Sequence, residues 1–153
     1  MTDVLLTWGE VRLAALAGVD QVIYSRSRRA RHAYGAANDD AWQISIQGQL
    51  AEYAVAKALD AFWHAAKDVG PRVGDVGRLE VRATLRQGGS LIVHESDPDE
   101  ACFVLVTGDA PTLRLVGWLR GADAKQRRYW RTDVRHPAFF VPAADLHGLD
   151  ELT

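Results

Sequence analysis

The segment Gly74–Leu85, GDVGRLEVRATL, constrains the fold most, because its side chains alternate in character with a period of two. Aliphatic residues share one face of the predicted strand: Leu79, Val81, Ala83 and Leu85. Polar residues share the other face: Glu80, Arg82 and Thr84. The apolar face can pack on a core, so the charged face requires a separate explanation. Asp75 precedes it in a turn where Gly74 and Gly77 permit unusual backbone angles.

Composition bounds the class of protein. The 153 residues, 48% hydrophobic and 25% charged, fit one globular domain, and the formal net charge of −2 gives no global attraction to nucleic acid. The single cysteine, Cys102, lies in an apolar run and is expected to be a buried small hydrophobe in a reducing compartment. No apolar stretch approaches the roughly 20 residues that span a bilayer. We therefore expect a cytoplasmic protein without a membrane partner.

The predicted elements are those of a single α/β domain over residues 1–153, with a mixed central sheet and flanking helices. The parts are a helical region at 7–32, a core at 47–141 and a short C-terminal packing segment at 142–153. A capping box joins Thr7 and Glu10, and Gly18 is expected to end or bend the first helix. The strongest helical pattern is Gln47–Trp63. Near-continuous apolar runs at 102–107 and 113–119 predict central strands covered on both faces.

Glu52 lies on the apolar stripe of the predicted helix, three residues before Val55 and four before Ala56. A carboxylate there is costly unless a cation or donors satisfy it. Either Glu52 reaches solvent or an arginine at the edge of the stripe, or it joins the strand acids. Lys57 is five residues further on, about 140° around a helix, and is expected to face elsewhere.

Two basic runs are candidate contacts to nucleic-acid phosphates. The first run contains Arg26, Arg28, Arg29 and Arg31, and the second contains Lys125, Arg127 and Arg128, with Tyr129 and Trp130 interleaved. A solvated helix end explains the first run equally well, and a solvated connection explains the second.

The acids suit phosphodiester hydrolysis, which requires an activated water and neutralisation of phosphate charge. Mg²⁺ supplies both when carboxylates hold it and several waters remain in place. Asp75 and Glu80 come together if the glycine turn folds back on the strand. Glu52 reaches the same point if its helix packs across the charged face of the strand. Arg82, which shares that face, would then point at a bound phosphate. The sequence contains no HxH or HExxH spacing for zinc, no dinucleotide fingerprint, no Walker loop and no nucleophile elbow.

The order of these residues, Glu52 in GQLAEYAVAKAL, then Asp75, then Glu80-Val81-Arg82, resembles the PD-(D/E)XK nuclease superfamily. The segments LEVRAT, FVLVTG, LRLVGWLRG and PAFFVP are similar to a group of small phage and actinobacterial proteins of that superfamily. The resemblance implies a restriction-endonuclease-like αβββαβ core and a Mg²⁺ or Mn²⁺ cofactor. It also implies Asp75 and Glu80 as metal ligands, the Val81 carbonyl as a possible third ligand, and Glu52 holding metal directly or through water.

Arg82 stands where the superfamily usually has lysine. An arginine stays protonated, so it stabilises phosphate charge but cannot act as a general base. The water would then be activated by the metal alone, or by a lysine from elsewhere in the chain that takes the place of the usual one, either Lys57 or Lys125. The leading hypothesis is a metal-dependent deoxyribonuclease that uses Glu52, Asp75, Glu80 and Arg82, and a homodimer would suit double-strand cutting. The alternatives are a non-catalytic DNA-binding or assembly protein with the nuclease fold, and a protein-interaction domain.

Overall fold

Two packed helices form one outer layer of the protein, whose computed structural model describes residues 1–27, 40–65 and 74–152. Helix α1 spans Trp8–Ser27. It begins at the predicted capping box: the Thr7 amide donates to Glu10 Oε2 at 2.6 Å, and the Glu10 amide donates to Thr7 Oγ1 at 3.3 Å. The part of the predicted helical region beyond residue 27 lies outside the described residues.

The sequence predicted that Gly18 ends or bends α1, and Gly18 does not end this helix. Helix α1 continues through it and packs on helix α2, Ala41–Ala58, which begins and ends earlier than Gln47–Trp63. A Cβ atom placed on Gly18 would lie 2.5 Å from the Cα of Ile46. Gly18 therefore allows the backbones of α1 and α2 to approach closely, and it does not mark a helix terminus.

The middle layer is a mixed four-stranded sheet. In chain order its strands are β1 (Thr2–Leu5), β2 (Leu79–Thr84), β4 (Cys102–Asp109) and β5 (Thr112–Arg120). The spatial order is β1-β5-β4-β2, with β2 parallel to β4 and the other pairs antiparallel. The predicted α/β class with a mixed central sheet is confirmed. Strand β2 lies at one edge of that sheet.

A second sheet, which the sequence did not predict as separate, forms the third layer. It contains β3 (Leu91–Val93), β6 (Trp130–Arg131) and β7 (Ala138–Val141), in the antiparallel order β3-β7-β6. Strand β4 is covered on both faces, as expected. Its Val104 and Val106 face the helices, whereas Phe103 and Leu105 face the second sheet.

The C-terminal segment packs along β5 and contains two single 3₁₀ turns, Ala143–Asp145 and Leu149–Glu151. The backbones of Trp118 and His147 exchange two hydrogen bonds, and the Trp118 indole donates to the Gly148 carbonyl at 2.9 Å. Across the described ranges, no helix has the length and apolar character needed to cross a membrane.

Candidate functional site: the acidic edge of the central sheet

The alternation read from the sequence of β2 is present in the fold. Val81 packs on the core beneath the helices, whereas the guanidinium of Arg82 lies over the ring of Phe103, 4.9 Å from its centroid, on the face toward the second sheet. Glu80 shares the face of Arg82 because the two are separated by one residue. The apolar face ends early, since Ala83 is exposed and Leu85 follows the strand with 48% exposure.

The glycine-rich turn brings Asp75 to the outer edge of β2. The chain reverses at Gly77, whose φ of 62° suits glycine, and the backbones of Val76 and Leu79 exchange two hydrogen bonds. Asp75 Oδ2 accepts a hydrogen bond from the Val81 amide at 2.7 Å. The amide and carbonyl of one strand residue point to the same side, so the Val81 carbonyl faces the edge where Asp75 lies.

Glu80 is half-buried and lies in a negative environment. Burial raises the pKa of its carboxyl group, the charge of Asp75 raises it further, and Arg82 lowers it, with Nη1 3.9 Å from Glu80 Oε2. The carboxylates of Asp75 and Glu80 are therefore close enough to repel each other. A cation placed between them would relieve that repulsion.

Asp97 is the site residue that sequence reasoning missed, because it belongs neither to the alternation of β2 nor to the apolar stripe of α2. Its Oδ2 accepts hydrogen bonds from Arg82 Nη2 at 3.1 Å and from the His94 amide at 2.8 Å, and its side chain is only 11% exposed. Burial lowers the pKa of His94, so this imidazole adds no positive charge at neutral pH. Arg82 is thus held by Asp97 and Phe103 in a fixed orientation.

Glu52 lies in the helical layer, whereas Glu80 projects from the opposite side of β2. Glu52 Oε2 accepts a hydrogen bond from Gln49 Nε2 at 2.8 Å. Within the ranges that the structure describes, no group of three or more His, Cys, Asp or Glu side chains is arranged to hold a metal ion. The fold therefore brings Asp75 and Glu80 together without adding Glu52 to them.

Neither candidate substitute lysine faces the acid pair. Lys57 Nζ donates to the Leu5 carbonyl at 2.9 Å and to Glu10 Oε2 at 2.7 Å, so it faces elsewhere, as expected from the helical period. Lys125 Nζ donates to the carbonyls of Glu95 and Asp97 and to Asp99 Oδ1 at 2.6 Å. Lys125 thus closes the turn that carries Asp97.

Only part of the two basic runs lies within the residues that the structure describes. Arg28, Arg29 and Arg31 lie outside the described residues, while Arg26 stacks over Trp42 at 4.9 Å from the ring centroid. In the second run Arg127 and Arg128 are exposed, with Arg128 4.5 Å from the Tyr129 ring centroid. Their contact with nucleic acid stays a prediction.

A cleft of about 590 Å³ opens beside Arg82, between the edge of the central sheet and the second sheet. We call it the arginine pocket. Its principal lining residues are Arg82, Arg86, His94, Leu105, Arg131 and Phe140.

The acid pair fits a small hard cation. Mg²⁺ is commonly held by one or two carboxylates, with waters and substrate phosphates completing its shell, and Mn²⁺ prefers the same oxygen ligands. Asp75, Glu80 and the Val81 carbonyl supply oxygens of that kind at one edge. Comparison with known proteins adds no assignment: no family model, curated protein or solved structure matches the chain.

Proposed function

We propose that this protein is a divalent-metal-dependent nuclease that hydrolyses phosphodiester bonds in DNA, with Asp75 and Glu80 as ligands of Mg²⁺ or Mn²⁺. The observation that carries the proposal is that Asp75 bonds to the Val81 amide at a strand edge, where its charge raises the pKa of Glu80, beside an arginine held by Asp97. Isolated pairs of half-buried acids are destabilising, which favours a functional reason for their juxtaposition.

The negative environment of Glu80 supports a cation at this edge. Burial and the charges of Asp75 and Asp97 together outweigh Arg82 in their effect on the Glu80 pKa. A divalent ion held there would neutralise charge on the scissile phosphate and lower the pKa of a bound water.

Arg82 is suited to hold the phosphate that approaches the acid pair. Its planar fork stays protonated and matches phosphate oxygens, and the contacts to Asp97 and Phe103 restrict its motion before substrate arrives. Preorganised donors of this kind stabilise developing charge without reorganisation during the reaction. Arg82 is a binding group in this scheme and not a base.

The order Glu52, Asp75, Glu80-Val81-Arg82 supports the same proposal through its resemblance to the PD-(D/E)XK superfamily. The resemblance implies that Glu52 also holds the metal, but Glu52 lies on the opposite side of β2 from Glu80, so the proposal assigns it no ligand role. The basic residues Arg26, Arg127 and Arg128 would contact flanking phosphates. Double-strand cleavage would require two such sites, which a homodimer provides.

Cleavage of linear, circular and branched DNA with Mg²⁺, Mn²⁺ or EDTA tests the proposal. Metal-dependent cleavage by the wild type should be lost in Glu80→Ala and retained in the control Asp109→Ala, because Asp109 is exposed at the other end of β4 from Phe103, the partner of Glu80. Calorimetry should show metal binding to the wild type and to the control only. A protein that neither cleaves DNA nor binds metal would refute the nuclease proposal.

A non-catalytic DNA-binding or assembly role is the second candidate, and the Arg82–Asp97 hydrogen bond favours it. An arginine anchored by a carboxylate is also what a purely structural element would contain. Arg82→Lys separates the two functions. A large gain in cleavage would indicate a site that has lost activity, whereas a loss of cleavage would show that the arginine belongs to the mechanism.

A further inference from the structure

The arginine pocket combines a basic rim with an apolar floor. Leu105, which is 1% exposed, and Phe140 form part of the floor, and three arginines and His94 surround it. The guanidinium of Arg131 lies 5.5 Å from the ring centroid of Phe140. Flat apolar surface next to cations is the combination that binds a nucleotide, because the base stacks on one part and the phosphate pairs with the other.

The three arginines are not equivalent. Arg82 is bonded to Asp97, and Arg131 donates two hydrogen bonds to the carboxylate of Asp133. Within the described ranges, no side chain bonds to the guanidinium of Arg86, which is exposed at the rim. Arg86 is therefore the arginine of the pocket whose guanidinium bonds to no carboxylate of the described residues.

The size of the pocket limits what it can hold. Its volume of about 590 Å³ falls within the roughly 300–1,000 Å³ typical of small-ligand sites. A base that remains paired in a duplex cannot enter such a cleft, since its stacking partners and complementary strand accompany it. An unpaired nucleotide can enter.

We propose that the arginine pocket holds one nucleotide of an unpaired DNA strand, with its phosphate at Arg86 and its base over Phe140. Arg82 lines the pocket, and its Nη1 lies 3.9 Å from Glu80 Oε2, so a strand seated in the pocket would pass close to Glu80. The preference for unpaired DNA rests on the proposed nuclease function, because that function makes DNA the polymer at this edge. The pocket itself is separate from the metal ligands.

Binding is measured by fluorescence anisotropy in EDTA, where metal-dependent cleavage cannot occur. The probes are a labelled oligothymidylate of roughly 12 nucleotides, within the span that single-strand-binding folds occupy, and a duplex of equal length. We expect the single strand to bind more tightly at every salt concentration. Equal or tighter binding of the duplex would overturn the proposal.

Two variants locate the site. Arg86→Met should reduce the slope of log K against log salt by about 0.7, the value for one single-strand phosphate contact. The control Arg12→Met, an exposed arginine on α1, should leave the slope unchanged. An unchanged slope in Arg86→Met, or an equal reduction in both variants, would contradict the assignment.

Gly88 lies on the pocket wall, and a Cβ atom placed there meets nothing within 4 Å. Gly88→Trp should fill the pocket and weaken single-strand binding about tenfold, in the range of one lost base stack, whereas Gly88→Ala should bind like the wild type. Unweakened binding by a folded Gly88→Trp would refute the site.

The nuclease function and the pocket can fail separately. Single-strand binding through Arg86 without any cleavage in Mg²⁺ would refute the nuclease function but support the pocket. Cleavage that is unchanged by substitution of Arg86 and Gly88 would support the nuclease function but refute the pocket.

Discussion

Adding one methyl group at Gly18 should destabilise the protein, whereas the same change at Gly48 should stabilise it. Both glycines lie within long helices, Gly18 in α1 and Gly48 in α2. Replacing a glycine in a helix interior by alanine favours folding by about 1 kcal/mol when nothing else changes. A Cβ on Gly48 meets no atom within 4 Å, so that gain should be realised in full.

At Gly18 the new Cβ would lie 2.5 Å from Ile46 Cα and 2.7 Å from Ile46 N. These are backbone atoms of α2, so a side-chain rotation cannot relieve the overlap, and the two helices must move apart. Overpacking of this kind costs about 1–3 kcal/mol. It offsets the helix-propensity gain, so we expect Gly18→Ala to lower the free energy of unfolding by up to about 2 kcal/mol.

Urea denaturation followed by circular dichroism measures both variants on the same scale. The two free energies of unfolding should differ by about 1–3 kcal/mol, which corresponds to several degrees in Tm for a chain of this size. Equal stabilities of Gly18→Ala and Gly48→Ala would refute the close approach of α1 and α2. It would also restore the interpretation of Gly18 as a helix-ending residue.

Three further changes test the electrostatics. Glu10→Gln should cost about 0.5–1 kcal/mol at pH 7 through loss of the ion pair with Lys57. The hydrogen bond from Lys57 lowers the pKa of Glu10, so the cost should be present in full above the pKa of the unfolded chain and disappear as the pH falls through the lowered pKa of the folded state, as urea titrations at several pH values would show. Glu80→Gln should raise stability in EDTA by about 1 kcal/mol, because it removes a half-buried charge beside Asp75. On the proposed metal role, Mg²⁺ should raise the Tm of the wild type but not that of Glu80→Gln. Lys125→Met should cost about 2 kcal/mol in urea denaturation, since three oxygen atoms lose their common donor.

Each expectation has a contrary outcome. A stability difference between Glu10→Gln and wild type that persists at about pH 3 would exclude the ion pair as its cause. Destabilisation by Glu80→Gln in EDTA would show that the ionised carboxylate is favourable where it lies. A Lys125→Met protein as stable as the exposed control Arg127→Met would mean that the turn carrying Asp97 holds without its lysine.

Much of the fold was predictable because it depends on local pattern. The alternation in β2, the apolar runs of β4 and β5 and the capping box of α1 each reflect neighbours in the chain. The division of the strands between two sheets was not predictable. Periodicity assigns a strand its faces but not its partner, and β3 and β7 are too short to indicate one.

The position of Asp75 next to the charged residues of β2 was predictable from the sequence, because a tight glycine turn and a strand alternation are local properties. The anchoring of Arg82 by Asp97, the place of Glu52 on the other side of the strand and the closing of a turn by Lys125 required the three-dimensional fold. These contacts join elements distant in sequence. Their geometry depends on how the helices and sheets stack. Burial of apolar surface is a non-directional force that determines which layers pack together, and the polar contacts follow from that packing.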